Sequence, residues 1–155
     1  ELAQQSVHNT EVVIDSISKV SSSAKFLLSL INDILDMSRI ESGRTVLSSD
    51  NISFGDFVEN INVICEAQAK QKGINFLTKI NGEITPYLIG DKTKLQQILI
   101  NIISNGIKFT PKGGYVLFSV TQKSVSNKQA LLEFIIKDDG IGISPNFLKI
   151  LFFSF

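Results

Sequence analysis

A seam of apolar residues limits what the first part of this 155-residue chain can fold into. Its members recur at alternating steps of four and three, a mean of about 3.5 residues, which is typical of a helix packed in a coiled-coil-like bundle. Leu28 and Leu35 widen the stripe, as a bundle of more than two helices requires. The alternative is a single long surface helix. The members of the seam are Val13, Ile17, Val20, Ala24, Leu27, Ile31 and Ile34.

The same stretch predicts where the helices begin and end. No Pro or Gly occurs before Gly43, and a polar run over residues 8–11 contains two candidate capping residues, Asn9 and Thr10. We predict that residues 1–7 are the tail of one helix and that a tight turn joins it to a second helix over about 10–42. Gly43 would then end the second helix.

Downstream of Gly43, helices and strands interleave without a regular βαβ period. This order predicts an α+β fold in which a helix layer covers a mixed sheet. The chain is therefore predicted to consist of a helical segment, residues 1–44, and an α+β domain, residues 45–155. The predicted strands lie near 45–47, 74–80, 87–89, 115–123 and 131–137, the last two forming a hairpin, and the predicted helices lie over 54–72, over 91–109 and from about Pro145.

Composition excludes several classes of function. Lys plus Arg and Asp plus Glu both number 15, so the formal net charge of zero excludes the strongly basic surface that nucleic acid requires. The single cysteine, Cys65, excludes an internal disulfide and a cysteine-based zinc site, and we interpret it as a core residue. No apolar run reaches the roughly 18–20 residues of a membrane span, so we expect no direct membrane contact by this segment. The chain begins without Met and ends within an apolar run, so we expect a piece of a longer protein.

The helix predicted over residues 91–109 is apolar around most of its circumference, which predicts that it is largely buried. One narrow polar stripe interrupts it. An unpaired buried polar group costs about 1–3 kcal/mol, and a bound ligand with phosphates and a metal would supply the missing partners. An Asn oxygen suits magnesium, and a Lys is a point charge for phosphate. Alternatively, the stripe faces solvent or bonds to a neighbouring loop. It consists of Lys94, Gln97, Asn101, Asn105 and Lys108.

A carboxylate at the end of a predicted strand, followed by two glycines, is the second candidate site. Asp138 follows a strongly apolar run, and Gly140 and Gly142 would let the backbone approach a ligand closely. A carboxylate accepts a hydrogen bond from an exocyclic amine, so adenine fits there, whereas guanine presents an oxygen. The alternative is an acidic turn whose glycines supply positive φ.

Four motifs, taken in order, resemble those of sensor histidine kinases. Residues 30–43 are similar to the end of the family's dimerisation and phosphotransfer hairpin, and residues 96–110 (QQILINIISNGIKFT) resemble its N box. Residues 138–143 (DDGIGI) resemble the first glycine box, and residues 152–155 (FFSF) resemble the F box. The resemblance covers nearly the whole chain and is of the type found in hybrid kinases, which carry a receiver domain.

That resemblance implies a four-helix-bundle dimer element in residues 1–44 and, in residues 45–155, the α/β sandwich of the histidine kinase and Hsp90-type ATPases. The catalytic domain would be incomplete, without the lid and the second glycine box. The parent would be a protein-histidine kinase, anchored in a bacterial inner membrane with this segment in the cytoplasm. It would form a homodimer through the hairpin. It would phosphorylate a histidine from ATP and transfer the phosphoryl group to an aspartate in the receiver domain of a response regulator.

The resemblance also implies two cofactors, ATP and magnesium, and a set of residues that bind them. Asn105 corresponds to the magnesium ligand, with a polar residue one turn before it, and Lys108 would lie beside the phosphates. Asp138 would bind the adenine amine, with two glycines shaping the pocket. The complete implied set is Asn101, Asn105, Lys108, Asp138, Gly140 and Gly142.

Some positions depart from the family pattern. Gly106 stands where Ala is usual, a loss of helix propensity of under about 1 kcal/mol that should leave binding intact, and Lys94 stands where Arg is frequent. The only histidine, His8, lies outside any acceptor-like segment, and we interpret it as a turn residue. We therefore expect that this chain holds no acceptor histidine and does not autophosphorylate. Phe152 and Phe155 are interpreted as packing residues.

Two other functions remain open from the sequence. A hydrolytic ATPase or a serine kinase of the same fold would need a Glu where Asn101 stands, because an amide cannot act as a base at neutral pH. A catalytically inert fragment that only dimerises or binds nucleotide is the other alternative.

Overall fold

A computed structural model describes residues 10–43 and 46–144 of the chain, and within them it has three helices and five strands. The predictions for the first helical tail, His8, Thr45, the helix near Pro145 and the F box lie outside the described residues. In chain order the elements are α1 (Thr10–Glu41), β1 (Asp50–Ser53), α2 (Phe54–Lys72), β2 (Asn75–Asn81), β3 (Tyr87–Gly90), α3 (Lys92–Phe109), β4 (Tyr115–Ser126) and β5 (Gln129–Asp138).

The chain divides between Val46 and Leu47 into two units, and α1 belongs to the first. The helix predicted over about 10–42 is confirmed as an uninterrupted helix of 32 residues. Its apolar seam is exposed in the single chain, where Ile17 is 61% and Ile34 is 67% exposed. An exposed apolar stripe of this length favours a partner surface. No helix in residues 10–43 or 46–144 combines the length and the apolar character that a membrane span requires.

The second unit contains two sheets. Strands β1 and β3 form an antiparallel pair, and β2, β4 and β5 form a mixed sheet in which β4 is central. Strand β2 runs parallel to β4, whereas β4 and β5 are the two arms of an antiparallel hairpin. The mixed sheet and its helices confirm the predicted α+β class.

Helices α2 and α3 contact each other and the sheet, and together they enclose the core. Phe57 and Ile61 of α2 and Ile103 of α3 are almost completely buried, as is Phe118 of β4. Cys65 lies in the same core, and burial raises the pKa of its thiol to about 11. The thiol is therefore neutral, in agreement with its interpretation as a core residue. Gly73 ends α2 in the left-handed conformation (φ 73°), as its position in the sequence predicts.

The predicted bounds of the first strand and of the two hairpin strands were wrong. The strand predicted near 45–47 begins only at Asp50, because its position is set by antiparallel pairing with β3, from Asp50 opposite Gly90 to Ser53 opposite Tyr87. The β4–β5 hairpin is longer than predicted, because its turn needs only two residues. These are Asn127 and Lys128, both with positive φ (50° and 62°), as a tight hairpin turn requires.

Candidate functional site

The N-terminal end of α3 is closed by acidic side chains. Asp91 is the N-cap residue, and its Oδ1 accepts a hydrogen bond from the backbone N–H of Lys94 at 2.8 Å. Its Oδ2 accepts from the backbone N–H of Ser48 at 3.0 Å. Asp50 adds a longer bond from the N–H of Lys92 at 3.3 Å. These backbone hydrogen bonds stabilise the charged carboxylate and lower the pKa of Asp91.

The C-terminal half of α3 presents three of the predicted ligand residues on one exposed face. Asn101, Asn105 and Lys108 follow one another at steps of four and three, so their side chains lie along one side of the helix. Neither amide makes a hydrogen bond to any other residue in the described part of the chain. Lys108 Nζ lies 5.2 Å from the ring centroid of Phe109. These polar groups remain available to a ligand.

The prediction that α3 is largely buried was wrong. Only Leu99, Ile103, Gly106 and Ile107 are buried, because the helix packs one face against α2 and the sheet. On its other side Ile98 is 54% and Ile102 is 46% exposed. The polar stripe is therefore not a set of buried groups that require partners. Within the stripe Asn101, Asn105 and Lys108 are exposed, as the solvent-facing alternative expects, whereas Lys94 and Gln97 are half-buried and interact with other parts of the protein.

The last turn of α3 is held from the neighbouring helix. Lys72, at the end of α2, extends its Nζ to the backbone carbonyl of Ile107 at 2.8 Å and also contacts that of Lys108. The backbone N–H of Thr110 donates to the carbonyl of Gly106 at 3.0 Å. The final carbonyls of a helix lack partners within it, so an ammonium group placed there satisfies them and complements the helix dipole.

The predicted glycine box forms a turn against the end of α3. The backbone N–H of Gly140 donates to Asp138 Oδ1 at 2.9 Å, and that of Ile141 donates to the carbonyl of Phe109 at 3.4 Å. A Cβ on Gly140 would lie 2.7 Å from Asp138 Oδ1 and 2.9 Å from the carbonyl oxygen of Phe109. Gly142 has a positive φ of 68°. Both glycines are therefore used for their lack of a side chain.

The structure brings the two candidate motifs together. A Cβ built on Gly106 would lie 3.7 Å from Asp138 Cβ, so the turn of α3 that carries Asn105 reaches the end of β5. The C-terminal half of α3 and the glycine turn thus border one site, although about thirty residues separate them in the chain. Lys94 of the same polar stripe lies elsewhere, near the N-terminal end of α3.

The donor set limits how magnesium could bind. In residues 10–43 and 46–144 no group of three or more His, Cys, Asp or Glu side chains is placed to hold a metal ion. Asn105 offers one neutral oxygen. Magnesium keeps several waters and is commonly held together with substrate phosphates, so these residues fit an ion that arrives with a nucleotide.

A cavity of about 980 Å³ lies near the other end of α3 and contains none of the predicted ligand residues. Its walls include Asp91, Lys94 and Ile98 of the helix region and the tip of the β4–β5 hairpin. This cavity therefore does not mark the proposed ligand site. We assign the site instead from the contact between the C-terminal half of α3 and the glycine turn.

Sequence reasoning missed three residues around this site. Lys72 and Asp139 bond to its backbone, and Thr110 is completely buried with no partner for its hydroxyl within the described residues. Only Asp139 had a signal in the sequence, as the second of two adjacent carboxylates. No local sequence pattern predicts that Lys72 bonds a backbone carbonyl 35 residues later in the chain.

Known proteins share the sequence pattern and the fold of this chain. A family model for histidine kinase-, DNA gyrase B- and HSP90-like ATPases matches residues 90–155. The hybrid signal transduction protein dokA of Dictyostelium discoideum is 33% identical over 91% of this chain, which covers 8% of dokA. The sensory/regulatory protein RpfC of Xanthomonas campestris pv. campestris and the histidine-protein kinase BarA of Escherichia coli are each 32% identical over 91% of the chain. The chain spans 19% and 15% of their lengths, less than a fifth in each case.

Solved structures share the fold. The histidine kinase ThkA, in complex with the response regulator protein TrrA, aligns with a TM-score of 0.66 at 19% identity, over 95% of this chain and 41% of ThkA. Full-length ShkA in complex with AMPPNP aligns with a TM-score of 0.68 at 26% identity, over 85% of this chain and 27% of ShkA.

Proposed function

Because this chain belongs to the sensor histidine kinases and carries their catalytic ATP-binding domain, we propose that it binds ATP with magnesium. In the complete protein, that domain supplies the phosphoryl group to a histidine. The observation that carries the proposal is the contact between the end of α3, the helix that carries Asn101 and Asn105, and the glycine turn, which follows Asp138. ShkA, a structural relative, was solved with AMPPNP, an ATP analogue.

In this proposal each group has one task. Asp138 Oδ1 is already used by the N–H of Gly140, so Oδ2 accepts the hydrogen bond of the adenine amine. The Asn105 amide oxygen binds magnesium, with Asn101 beside it, and Lys108 contacts the phosphates. Magnesium, when bound, neutralises charge on the phosphates during transfer. Gly140 and Gly142 shape the pocket through their lack of side chains.

Phosphoryl transfer to histidine fits this site better than hydrolysis. The residue one turn before Asn105 is Asn101, whose amide cannot take a proton from water at neutral pH. The site therefore positions a phosphoryl group and leaves the nucleophile to another segment. ThkA was solved in complex with a response regulator, and we infer an equivalent receiver-domain partner for the complete protein.

The nucleotide proposal is tested by calorimetric titration of the chain with ATP and GTP, with and without magnesium. We expect ATP to bind at least about tenfold more tightly than GTP, because guanine leaves the Asp138 carboxylate unpaired. Asp138→Asn should remove that preference, and Asn105→Ala should remove the dependence on magnesium. Asp56→Asn, an exposed carboxylate in the first turn of α2, is the matched control and should change neither. Equal affinity for ATP and GTP in the unmutated chain would contradict the assignment of Asp138.

A homodimer through α1 is the second part of the proposal. The exposed seam supports it, because a second copy would cover residues such as Ile31, which is 53% exposed in the single chain. Ile31→Asp should shift the sedimentation of the chain from dimer to monomer. Lys19→Glu, on the polar side of the same helix, is the control. A monomer at high concentration that Ile31→Asp leaves unchanged would remove the seam as an interface.

A further inference from the structure

We propose that Asp139 is a positioning residue that fixes the glycine turn against the segment following α3, residues 110–115. Asp139 is not among the residues assigned to ligands, and the inference deepens the proposed nucleotide site and rests on it. The carboxylate would act on the backbone that surrounds the nucleotide and not on the nucleotide itself.

The contacts of Asp139 with the segment 110–115 are reciprocal. Its Oδ1 accepts a hydrogen bond from the backbone N–H of Tyr115 at 2.8 Å, and its own N–H donates to the carbonyl of Tyr115 at 3.4 Å. One residue of the turn thus bonds through side chain and backbone to one residue at the start of β4. Two bonds to the same partner restrict both the position and the orientation of the turn.

The Asp139 carboxylate packs against Gly114, where only glycine leaves enough space for it. A Cβ on Gly114 would lie 2.6 Å from Asp139 Oδ1 and 2.5 Å from Thr110 Cγ2, both far closer than such atoms approach. The segment is itself anchored, because the N–H of Gly113 donates to the carbonyl of Gly73 at 2.8 Å and the N–H of Asn75 donates to that of Gly114 at 2.9 Å. Asp139 therefore bonds the turn to a segment already bonded to the corner between α2 and β2.

The adjacent carboxylates of Asp138 and Asp139 consequently have different structural roles. Asp138 closes its own turn through the N–H of Gly140, whereas Asp139 ties that turn to Tyr115. A free turn would sample other orientations of Asp138, and each misplacement would weaken a hydrogen bond that needs accurate geometry. The contribution of Asp139 should therefore appear as nucleotide affinity and not only as stability.

The test compares Asp139→Ala with Asp139→Asn in the same chain, because Asn retains an oxygen that accepts from the N–H of Tyr115. We expect Asp139→Ala to weaken ATP binding by about tenfold, because it removes one charge-assisted hydrogen bond. Binding is measured well below the melting temperature of the variant. Asp139→Asn should restore affinity to within about threefold of the unmutated chain. Asp56→Ala serves as the exposed carboxylate control.

Amide hydrogen exchange provides a readout that does not need ATP. Asp139→Ala should accelerate amide exchange at Tyr115 and Ile141 and leave exchange at the buried residues of β4 unchanged. Asp139→Asn should leave exchange at all of these residues unchanged. A lowered melting temperature with unchanged ATP affinity, or slow exchange at Tyr115 in Asp139→Ala, overturns the inference. If the unmutated chain binds no ATP, the proposed function fails, and the exchange measurement alone decides whether Asp139 holds the turn.

Discussion

The two ends of helix α3 differ in what satisfies their polar groups. At the N-terminal end, Asp91 accepts from the N–H groups of Lys94 and Ser48, so the protein itself closes the helix. At the C-terminal end, Lys72 and the backbone of the glycine turn hold the last carbonyls, while the amides of Asn101 and Asn105 have no partner among the described residues.

This difference indicates that the N-terminal end of the helix has a structural role and that the C-terminal half is available to a ligand. Backbone groups are bonded at both ends, as folding requires. The C-terminal half, with Asn105 and Lys108, adds side-chain groups that make no hydrogen bond within the described residues and that lie on the half of the helix which contacts the glycine turn. Variants at the N-terminal end should therefore alter stability alone, whereas variants that remove a ligand group or disturb the packing at the C-terminal end should also alter nucleotide binding.

The largest effect should come from Gly114→Ala at the C-terminal end. A Cβ there meets Thr110 Cγ2 at 2.5 Å and the backbone oxygen of Pro111 at 3.1 Å, so the segment must shift. We expect a loss of about 2–3 kcal/mol in the free energy of unfolding and a large loss of ATP affinity. Urea denaturation and calorimetry measure the two quantities.

Gly55→Ala is the matched control for Gly114→Ala, because a Cβ at Gly55 meets no atom within 4 Å. It should leave ATP affinity unchanged. If Gly114→Ala were as stable as the unmutated chain and bound ATP equally well, the tight packing at this end of α3 would not matter for the site.

The next effect in size should come from Lys72→Ala. The substitution removes an ammonium group that bonds the carbonyls of Ile107 and Lys108. Because the side chain is partly exposed to solvent, we expect a loss of only about 1–2 kcal/mol in the free energy of unfolding. Because those carbonyls belong to the turn that carries Lys108, ATP affinity should also fall. Lys70→Ala, an exposed lysine in the same last turn of α2, is the control. Equal effects from both lysines would show that only net charge matters.

The sequence predicted the elements better than it predicted their surroundings. The bounds of α2 follow from its apolar face and from Gly73, which are local signals. The start of β1 could not be predicted, because the pairing of Asp50 with Gly90, 40 residues later in the chain, sets it. The exposure of α3 was also missed, because the apolar character of Ile98 and Ile102 does not reveal which side of the helix the rest of the fold covers.

The residues of the candidate site also divide into those that local sequence patterns predict and those that they do not. The ligand residues were predicted because their side chains form recurring motifs, and they remain predictions until binding is measured. The residues that hold the site were missed, because their partners are backbone groups. Asp139 bonds an N–H that lies 24 residues earlier in the chain, and no pattern of side chains encodes that contact.

Asp91→Asn tests the N-terminal end and should lower stability without changing ATP affinity. Backbone hydrogen bonds hold the pKa of Asp91 below its ordinary value, so the charged carboxylate stabilises the folded state. That contribution is fully present above about pH 4 and is lost as the pH falls through the lowered pKa. Melting temperatures of the two proteins should therefore differ at pH 7 and approach each other as the pH falls below about 4. A difference that persists at acidic pH would mean that the carboxylate acts through packing.

The smallest effect should be a gain, from Gly106→Ala within α3. A Cβ at this buried position would lie 3.5 Å from Val116 Cγ1 and 3.7 Å from Asp138 Cβ, which are ordinary contact distances. Alanine also restricts the unfolded chain, so we expect a gain of about 0.5–1 kcal/mol in the free energy of unfolding. ATP affinity should stay the same, because the added methyl group touches the backbone side of Asp138 and not its carboxylate. A loss of ATP affinity in Gly106→Ala, despite the higher stability, would mean that the helix and the glycine turn must move apart for the nucleotide to bind.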